Sequence, residues 1–331
     1  MEKHVTILVP EGDKNNLSSI VGSYKILSRA NSYWQQLGHP SLLKIELVGV
    51  SRTVEFYDGL FAVRPQVLIS EVHKTDLIII PSLNHHFEEA IASNVAMLDW
   101  IKLQFSIGAE VASICTGAFL LASTGILNGK SCSTHWSAAE VFRTKFPKVH
   151  LKPDATITDE QGVYTNGGAY SFLNLMLYLI EKLFDRNTAI YCSKVFQIEP
   201  DRNSQSAFAI FTGQKQHGDE VIEKAQTYIE SHSQQKWSVE ALAAQLNIGR
   251  RSFDRRFIKA TGNTPVEYLQ RVRTELAKKS IEISNKTISE VMYDVGYSDL
   301  KAFREVFRKY TGLTPMEYKS RYQKRDVIQV S

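Results

Sequence analysis

The sequence predicts two domains of different classes: an α/β domain built on a parallel sheet, then an all-α domain with two helix-turn-helix units. Two observations predict this division. In the first 200 residues, short apolar runs alternate with segments of helical periodicity, which is the pattern of a parallel sheet wrapped by helices. In the last third, one twelve-residue pattern occurs twice, 50 residues apart. The length of 331 residues also suits two domains.

The apolar runs of the first domain predict its strands. Each run is continuous rather than alternating, as expected for a strand that is buried on both faces. Two segments between the runs, 16–30 and 87–105, have helical periodicity. We therefore expect a flavodoxin-like α/β fold with strands at 4–9, 45–50, 77–80 and 110–114.

Cys115 follows the last of these strands directly and precedes a predicted helix at 117–123. Small residues stand two positions before and two positions after it, as in a nucleophile elbow, where a sharp turn excludes larger side chains. The N-terminus of the following helix would favour the thiolate and lower the pKa of the thiol. Two later stretches could complete a pocket, the second through backbone amides that could hold an anionic group: Thr134-His135-Trp136 and Asn166-Gly167-Gly168.

The repeated pattern in the last third indicates one structural unit present in two copies. Residues 257–268 and 307–318 share Phe, Lys, Thr, Gly, Thr, Pro, Glu and Tyr, eight of twelve positions. A helical solenoid usually needs three or more repeats to bury a continuous core. The two copies therefore favour a pair of supersecondary units over a fragment of a solenoid.

The segment before the second copy is typical of a helix-turn-helix. Thr287 and Glu290 have the spacing of a capping box, which starts a helix, and apolar residues then fall on one helical face. Gly296 predicts the left-handed turn that ends this helix. Ser298 is placed to cap the next helix.

The first copy follows the same plan. Ser238 is placed to cap its first helix, and Asn247 takes the left-handed turn position, which Asn tolerates best after Gly. A second helix is predicted at about 250–259, and 265–282 predicts one long helix that joins the two units, with Pro265 in its first turn. Four aromatic residues have the spacing of a buried helix face and are predicted to be core: Phe253, Phe257, Phe303 and Phe307.

Positive charge is concentrated in the helical third of the chain. Residues 219–331 carry 20 Lys and Arg against 15 Asp and Glu, a net +5, whereas 19 basic and 20 acidic residues give 1–218 a net −1. A basic helix is most often a solvated face. At the second helix of a helix-turn-helix, present twice, the same charge predicts contact with DNA phosphates and bases.

Residues 220–322 resemble the AraC/XylS-type DNA-binding domain, most closely from Gly296 to Tyr318, although Lys319 stands where that family usually has Arg. The resemblance implies that each second helix enters a major groove, on successive turns of one DNA face roughly 34 Å apart. We expect base contacts from Arg251, Ser252, Arg255, Asp299, Lys301, Ala302 and Arg304. We expect Arg256, Lys259 and Arg308 to contact phosphate or solvent. Arg250 and Ser298 are also counted among the predicted DNA-binding residues.

The stretch from Val111 to Trp136 resembles the GlxA-like branch of these regulators, whose N-terminal domain is similar to the class I glutamine amidotransferase-like superfamily. The resemblance implies a sensor domain that binds a small effector, an amino acid or a quaternary amine, and forms a homodimer. It favours activation over repression and allows contact with RNA polymerase. The expected effector-binding residues are Cys115, Thr116, His135, Trp136, Asn166, Gly167 and Gly168. Tyr24, Trp136 and Tyr170 could form an aromatic cage for a quaternary amine.

The resemblance does not carry over the catalytic residues of the superfamily. After Cys115, no His is followed by Glu two positions later, and Thr116 stands where the peptidase branch has His. Ser19 occupies the position of the superfamily's acid on the first helix, and Glu11 is the alternative carboxylate nearby. We expect no catalysis, no metal and no cofactor. Two alternatives stay open: an enzyme that acts on an amide or a reactive carbonyl through Cys115, and an N-terminal domain that only dimerises.

Composition bounds the location and the domain limits. No apolar run approaches 18 residues, the N-terminus lacks a signal-peptide pattern, and three cysteines lack disulfide or zinc spacing, which together predict a cytoplasmic protein without a membrane partner. A polar, turn-rich stretch predicts a linker. The predicted limits are a sensor and dimerisation domain at 1–198, a linker at 199–218 and a DNA-binding domain at 219–325. Within the linker, the apolar residues 207–211 are expected to dock on one domain.

Overall fold

The computed structural model describes residues 2–12, 15–84, 86–200, 204–215 and 217–323. The chain forms two compact units that divide between Gln205 and Ser206, inside the predicted linker. The first unit is an α/β domain and the second is helical, so the predicted fold class is confirmed.

The strands of the first unit form one large sheet and two small ones. The large sheet has seven strands in the order β10-β11-β7-β6-β1-β2-β5, and its neighbours are parallel except for the antiparallel pair β10–β11. The strands are β1 (Lys3–Val9), β2 (Leu43–Gly49), β3 (Val54–Phe56), β4 (Phe61–Val63), β5 (Val67–Leu68), β6 (Leu77–Ile80), β7 (Glu110–Ile114), β8 (Ser131–Cys132), β9 (His150–Leu151), β10 (Ile157–Glu160) and β11 (Val163–Asn166).

Helices cover both faces of the large sheet. Alternate residues of β1 point to opposite faces, so that Val5, Ile7 and Val9 enter one apolar core while Leu8 enters the other. Both cores are buried, which explains why the strands are continuous apolar runs. The helices are α1 (Leu17–Gln36), α2 (Phe87–Ser93), α3 (Val95–Ser106), α4 (Ala118–Ser123), α5 (Ala139–Lys145), α6 (Phe172–Leu183) and α7 (Arg186–Phe196).

Two predicted helices differ from the structure in extent. The helix predicted at 16–30 continues to Gln36, because nothing in its last turns breaks the helix before Gly38, which has a positive φ of 88°. The segment predicted as one helix at 87–105 is two helices that meet at Asn94. The side chain of Asn94 is buried and accepts a hydrogen bond from the Glu11 amide at 2.8 Å, so a tertiary contact accompanies the break.

The second unit consists of seven described helices. Their caps follow the sequence signals: Ser238, Thr264, Thr287 and Thr314 each accept a hydrogen bond from a backbone amide of the first turn. The helices are α8 (Glu220–Ser231), α9 (Val239–Gln245), α10 (Arg250–Thr261), α11 (Pro265–Ile283), α12 (Ile288–Asp294), α13 (Leu300–Thr311) and α14 (Pro315–Tyr322).

Each helix-turn-helix has its own apolar core, and α11 contributes to both. Phe253 and Phe257 are buried in the first core with Tyr268, and Phe303 and Phe307 are buried in the second with Tyr318. The prediction that these four phenylalanines are core is confirmed.

The turns agree with the sequence signals at two positions and differ at one. Asn247 and Gly296 have positive φ angles of 54° and 83°, as predicted. Ser298 was expected to cap the second helix of its unit, but the cap is Asp299, whose carboxylate accepts the Ala302 amide at 2.7 Å. The turn is therefore one residue longer than the spacing suggested.

The apolar end of the predicted linker packs on the helical unit. The ring of Phe211 lies 5.1 Å from that of Tyr268, and the carbonyl of Ala209 accepts a hydrogen bond from the Lys278 ammonium at 2.5 Å. The expectation that 207–211 docks on one domain is met in these contacts.

Candidate functional sites

Cys115 lies at a sharp turn between β7 and α4. Its φ of 54° is left-handed, a conformation that is strained for a residue with a Cβ. Gly117 completes the turn, because a Cβ at that position would overlap the carbonyl of Pro81. The turn lies at the carboxyl end of β7, beside the end of β6. The strand order reverses between β6 and β1, on the other side of β6. Ligands of open α/β sheets bind at this edge.

The thiol of Cys115 is buried, with 4% of the residue exposed. Burial raises the pKa of this thiol above its usual value, even though hydrogen bonds with Ser82 and Thr116 oppose the shift. The expected lowering of the pKa by the following helix is therefore wrong, because α4 is a short helix behind a buried thiol and desolvation outweighs it. At neutral pH the group is a thiol rather than a thiolate.

The polar groups around Cys115 are already engaged with one another. Thr116 is buried, and its hydroxyl bonds both the amide and the carbonyl of Leu83. Ser19 is also buried, donates to the Asn16 carbonyl at 2.7 Å and accepts the Ser82 amide at 3.1 Å. The superfamily's acidic position is thus a hydroxyl that holds the end of β6.

The alternative carboxylate, Glu11, is tied elsewhere. Its Oε1 accepts the amide of Ser51 at 3.0 Å. No group of three or more His, Cys, Asp or Glu residues that could hold a metal ion is found in the part of the chain that the structure describes.

The 133–136 loop lies against the Cys115 turn. The hydroxyl of Thr134 donates to the Cys115 carbonyl at 3.0 Å. His135 is half-buried, and its Nδ1 lies 2.7 Å from the Ser137 hydroxyl and accepts the Ser137 amide. The ring of Trp136 is 5.2 Å from that of His135. Thr134 therefore ties the loop that carries His135 and Trp136 to the backbone of the Cys115 turn.

The turn at Asn166–Gly168 follows β11, the neighbour of β7 in the sheet. The buried amide of Asn166 donates to the carbonyls of Thr156 and Ser171 at 3.0 and 3.1 Å, while its Oδ1 has no partner among the described residues. Gly168 has a φ of 87°. These hydrogen bonds hold the turn, and the register of β11 places Asn166 beside Ile114, directly before Cys115.

Gln205 joins these segments, although no sequence pattern predicts a role for it. Only 3% of this residue is exposed. Its Nε2 donates to the carbonyls of Thr134 and Pro153 at 2.8 and 2.7 Å, and its Oε1 accepts the Trp136 amide at 3.3 Å. A Cβ at Gly167 would overlap the Gln205 amide. The last residue of the first unit is thus inserted between the 133–136 loop and the 166–168 turn.

The proposed aromatic cage is less closed than the sequence suggested. Tyr24 is 38% exposed and Tyr170 is 65% exposed, while Trp136 is half-buried. The ring of Tyr170 lies 6.3 Å from that of Phe172.

The second helix of each helix-turn-helix, α10 or α13, is the predicted recognition helix, and α10 has basic residues in two different environments. Arg251 and Arg255 are exposed. Arg250 instead pairs with Glu240 and with Asp254, and Arg256 makes two bonds to Asp219 at 2.6 and 3.0 Å. Ser252 is half-buried beside them. Arg251 and Arg255 are therefore the arginines most available to a ligand.

The second recognition helix, α13, presents its charges differently. Lys301, Arg304 and Arg308 are exposed, and none of the three makes an ion pair within 4.0 Å with a described residue. Ala302 is exposed between them, and Asp299 caps the helix. Ser298 is exposed in the turn. The N-terminal half of α13 thus exposes two basic residues, Lys301 and Arg304, beside the acidic Glu305.

Family models match both units. The model described as the DJ-1/PfpI family matches residues 7–182, and the model described as a helix-turn-helix domain matches residues 242–321. The first covers the Cys115 turn and its neighbours. The second covers both recognition helices.

Curated relatives are named as transcriptional regulators. The chain is 25% identical over 222 residues to the HTH-type transcriptional regulator GbdR of Pseudomonas aeruginosa, which covers 66% of this chain and 59% of that protein. It is 27% identical over 215 residues to GlxA of Rhizobium meliloti, which covers 63% of this chain and 64% of that protein. The chain thus spans less than two thirds of the length of these relatives.

Solved structures share the fold of the first unit. A Vibrio parahaemolyticus protein described as a transcriptional regulator superposes with a TM-score of 0.53 at 24% identity, covering 59% of this chain and 99% of that one. A ThiJ/PfpI family protein from Pseudomonas syringae gives 0.51 at 17% identity, covering 70% and 87%. Among the described residues, no helix combines the length and the apolar character needed to cross a membrane.

Proposed function

Because the chain belongs to the DJ-1/PfpI family and carries a C-terminal AraC-type helix-turn-helix domain, we propose that it is a sequence-specific DNA-binding transcription regulator. The observation that carries the proposal is the pair of recognition helices, each with exposed basic residues on a fixed apolar core. The regulators named among its relatives support it. It would act as a cytoplasmic homodimer and an activator, with RNA polymerase as a further partner.

The two recognition helices would each enter a major groove of double-stranded DNA. Arg251, Ser252 and Arg255 of α10 would face base edges, and so would Lys301, Ala302 and Arg304 of α13, with Asp299 and Ser298 at the start of that helix. Arginine pairs with guanine through two donors, and one such pair discriminates by about 1–3 kcal/mol. Arg308 would contact phosphate, and Arg250 and Arg256, which already pair with carboxylates, would support the helix.

The test begins with selection of a binding site from random duplexes by the full chain. Arg251→Ala and Arg304→Ala should each weaken binding to the selected site about 5- to 150-fold, the range that follows from one lost base contact. They should also relax the preference at one base pair. Lys259→Ala and Lys309→Ala are charge-matched controls: each removes one positive charge from the far end of the same helix and should leave the base preference unchanged. Unchanged affinity in both arginine variants, with folding intact, would overturn the assignment.

The first unit would bind a small effector, an amino acid or a quaternary amine, at the edge formed by Cys115, Thr116, His135, Trp136 and the Asn166–Gly168 turn. Gln205 supports a link from this edge to the DNA-binding unit, because it holds the edge together and is followed directly by the segment that packs on α11. An effector that displaces the Gln205 amide would release that segment and shift a pre-existing equilibrium.

Thermal unfolding of the full chain against amino acids, betaines and related amines tests the effector site. A ligand that binds the native state should raise the melting temperature with dose. His135→Ala should abolish the rise, whereas Gln205→Ala should keep it but make operator binding independent of the compound. Gln36→Ala, an exposed glutamine at the end of α1, is the control. No rise with any compound would favour a first unit that only dimerises.

The left-handed turn at Cys115 favours a second candidate function, an enzyme that acts on an amide or a reactive carbonyl. The raised pKa of the thiol and the hydroxyl at Ser19 argue against it. We expect alkylation of Cys115, located by mass spectrometry, to be slower than that of a free thiol at pH 7 and to rise about tenfold per pH unit up to at least pH 9, because the thiolate is the nucleophile. Rapid labelling at pH 7 would restore the enzyme hypothesis.

A further inference from the structure

The two helix-turn-helix units are joined by more than the shared helix α11. Tyr268, near the start of α11, belongs to the first core, and Ala277 and Ile281, near its end, belong to the second. Each helix-turn-helix therefore packs on its own half of α11 through apolar contacts. Polar groups in the middle of the helix connect the two halves.

Arg273 is the central connecting residue. Its Nε donates to the carbonyl of Ser233 at 2.7 Å, and its Nη2 donates to the carbonyl of Gln235 at 3.2 Å. Both carbonyls belong to the loop between α8 and α9, which leads into the first helix-turn-helix. The same guanidinium lies over the ring of Tyr297, with its Cζ 5.1 Å from the ring centroid. Tyr297 belongs to the turn of the second helix-turn-helix. The side chain of Arg273 thus contacts both helix-turn-helix units.

The turn of the second unit also touches that loop directly. A Cβ at Gly296 would lie 2.6 Å from the carbonyl oxygen of Gln234 and 2.9 Å from Nη2 of Arg273. The left-handed φ of 83° at Gly296 would allow Asn, as at Asn247 in the first unit, but the close approach requires a residue without a side chain. This packing explains why the second turn has glycine.

A second contact holds the other end of α13. The hydroxyl of Tyr310 donates to Oε1 of Gln270 at 3.1 Å, and the Arg271 guanidinium lies 4.7 Å from the centroid of the Tyr310 ring. The corresponding position of the first repeat is Ala260, which is too short for such a contact. The second recognition helix is therefore fixed to the middle of α11 both through the turn before it and near its last turn.

We propose that Arg273 is a positioning residue that fixes the spacing and rotational phase of the two recognition helices, and so the spacing of the two DNA segments that they recognise. The guanidinium suits this role because its planar donors bind two carbonyls while its face stacks on an aromatic ring, which an ammonium cannot reproduce. Arg273 need not touch DNA. The inference rests on the proposed function, since it concerns how the two helices share one operator.

The experiment measures affinity for the selected operator and for versions with one base pair inserted or deleted between its two recognised segments. For the wild-type chain we expect a loss of at least 30-fold on insertion. For Arg273→Ala we expect weaker binding to the original operator and a penalty for insertion that falls below about fivefold. Arg273→Lys should resemble Arg273→Ala rather than the wild type.

Two further variants keep the test decisive if Arg273→Ala fails to fold. Tyr297→Leu removes the ring beneath the guanidinium and should also relax the spacing, whereas Tyr297→Phe keeps the ring and should not. A penalty for insertion that stays at the wild-type value in the folded variants would overturn the role of Arg273. Failure of the wild-type chain to select any sequence would instead overturn the proposed function, and this inference with it.

Discussion

The two helix-turn-helix units have similar apolar cores but differ at their surfaces. In the first, Arg250 and Arg256 of the recognition helix pair with Glu240, Asp254 and Asp219. In the second, the exposed basic residues make no ion pair with a described residue: Lys301, Arg304 and Arg308. The duplicated fold thus retains its packing residues while its charges diverge. We infer that paired arginines hold the first recognition helix in place beside the exposed Arg251 and Arg255, whereas the second recognition helix leaves Lys301, Arg304 and Arg308 all free to contact DNA.

The largest expected effects test whether the two cores are equivalent. Phe257→Ala and Phe307→Ala should each lower the free energy of unfolding of their unit by about 3–5 kcal/mol, because each removes a fully buried aromatic ring. Urea denaturation followed by circular dichroism gives the loss, and hydrogen exchange shows which helices open. A loss in one variant that is less than half that in the other would show that the cores are not equivalent.

The next effect distinguishes the starts of the two recognition helices. Asp299 caps α13 through the Ala302 amide, whereas Gly249 precedes α10 without a side-chain cap. Asp299→Ala should lower the free energy of unfolding by about 1 kcal/mol. Gly249→Ala should lower it by less, since no side-chain hydrogen bond is lost, a Cβ there meets no atom within 4 Å and the φ is negative. Equal losses in the two variants, measured by urea denaturation, would contradict the assigned cap.

The sequence predicted the features of this comparison that depend on short segments. Helical periodicity, the capping box at Thr287 and the left-handed positions at Asn247 and Gly296 are local signals, and each is found in the structure. The cap of α13 was misplaced because Ser298 and Asp299 are both good caps, so the choice depends on the length of the turn. One extra residue in the second turn is enough to change it.

Features that depend on distant parts of the chain were outside the reach of sequence patterns. Gln205 bonds Thr134 across 71 residues, and no local pattern marks a glutamine in a polar linker as buried. The pKa of Cys115 was expected to be lowered because the N-terminus of a helix follows it in the sequence. Its burial, and hence the direction of the shift, depends on packing around the end of β6.

A smaller effect should appear in the salt dependence of DNA binding. Each phosphate contact by a basic residue releases counterions, so its removal lowers the slope of log affinity against log salt by about 1. Arg308→Ala should show that full decrease if Arg308 contacts phosphate. Arg250→Ala should show clearly less, because Glu240 and Asp254 already neutralise its charge. Binding titrations between about 50 and 200 mM salt measure both slopes, and equal decreases would remove the proposed difference between the units.

The smallest expected effect is on the pH dependence of the stability of the native state. The Arg256 guanidinium holds the pKa of Asp219 below its usual value, and the amide of Ile222 adds to the shift. The second repeat has Val306 in place of Arg256, so the corresponding pair exists only in the first unit among the described residues. A carboxyl whose pKa is lowered by folding stabilises the native state above its unfolded pKa, and this contribution is lost as pH falls through the folded pKa.

Asp219→Asn should therefore be less stable than the wild type at pH 7, and the difference between the two should shrink as the pH falls below about 4, the pKa of a free aspartate. Asn can still cap α8, so the variant isolates the charge from the cap. Hydrogen exchange of α8 and α10 should follow the same trend, while α12 and α13 should exchange alike in both proteins. A difference in stability that persists unchanged at low pH would mean that Asp219 acts through its hydrogen bonds alone, and the first recognition helix would then be held by geometry rather than by charge.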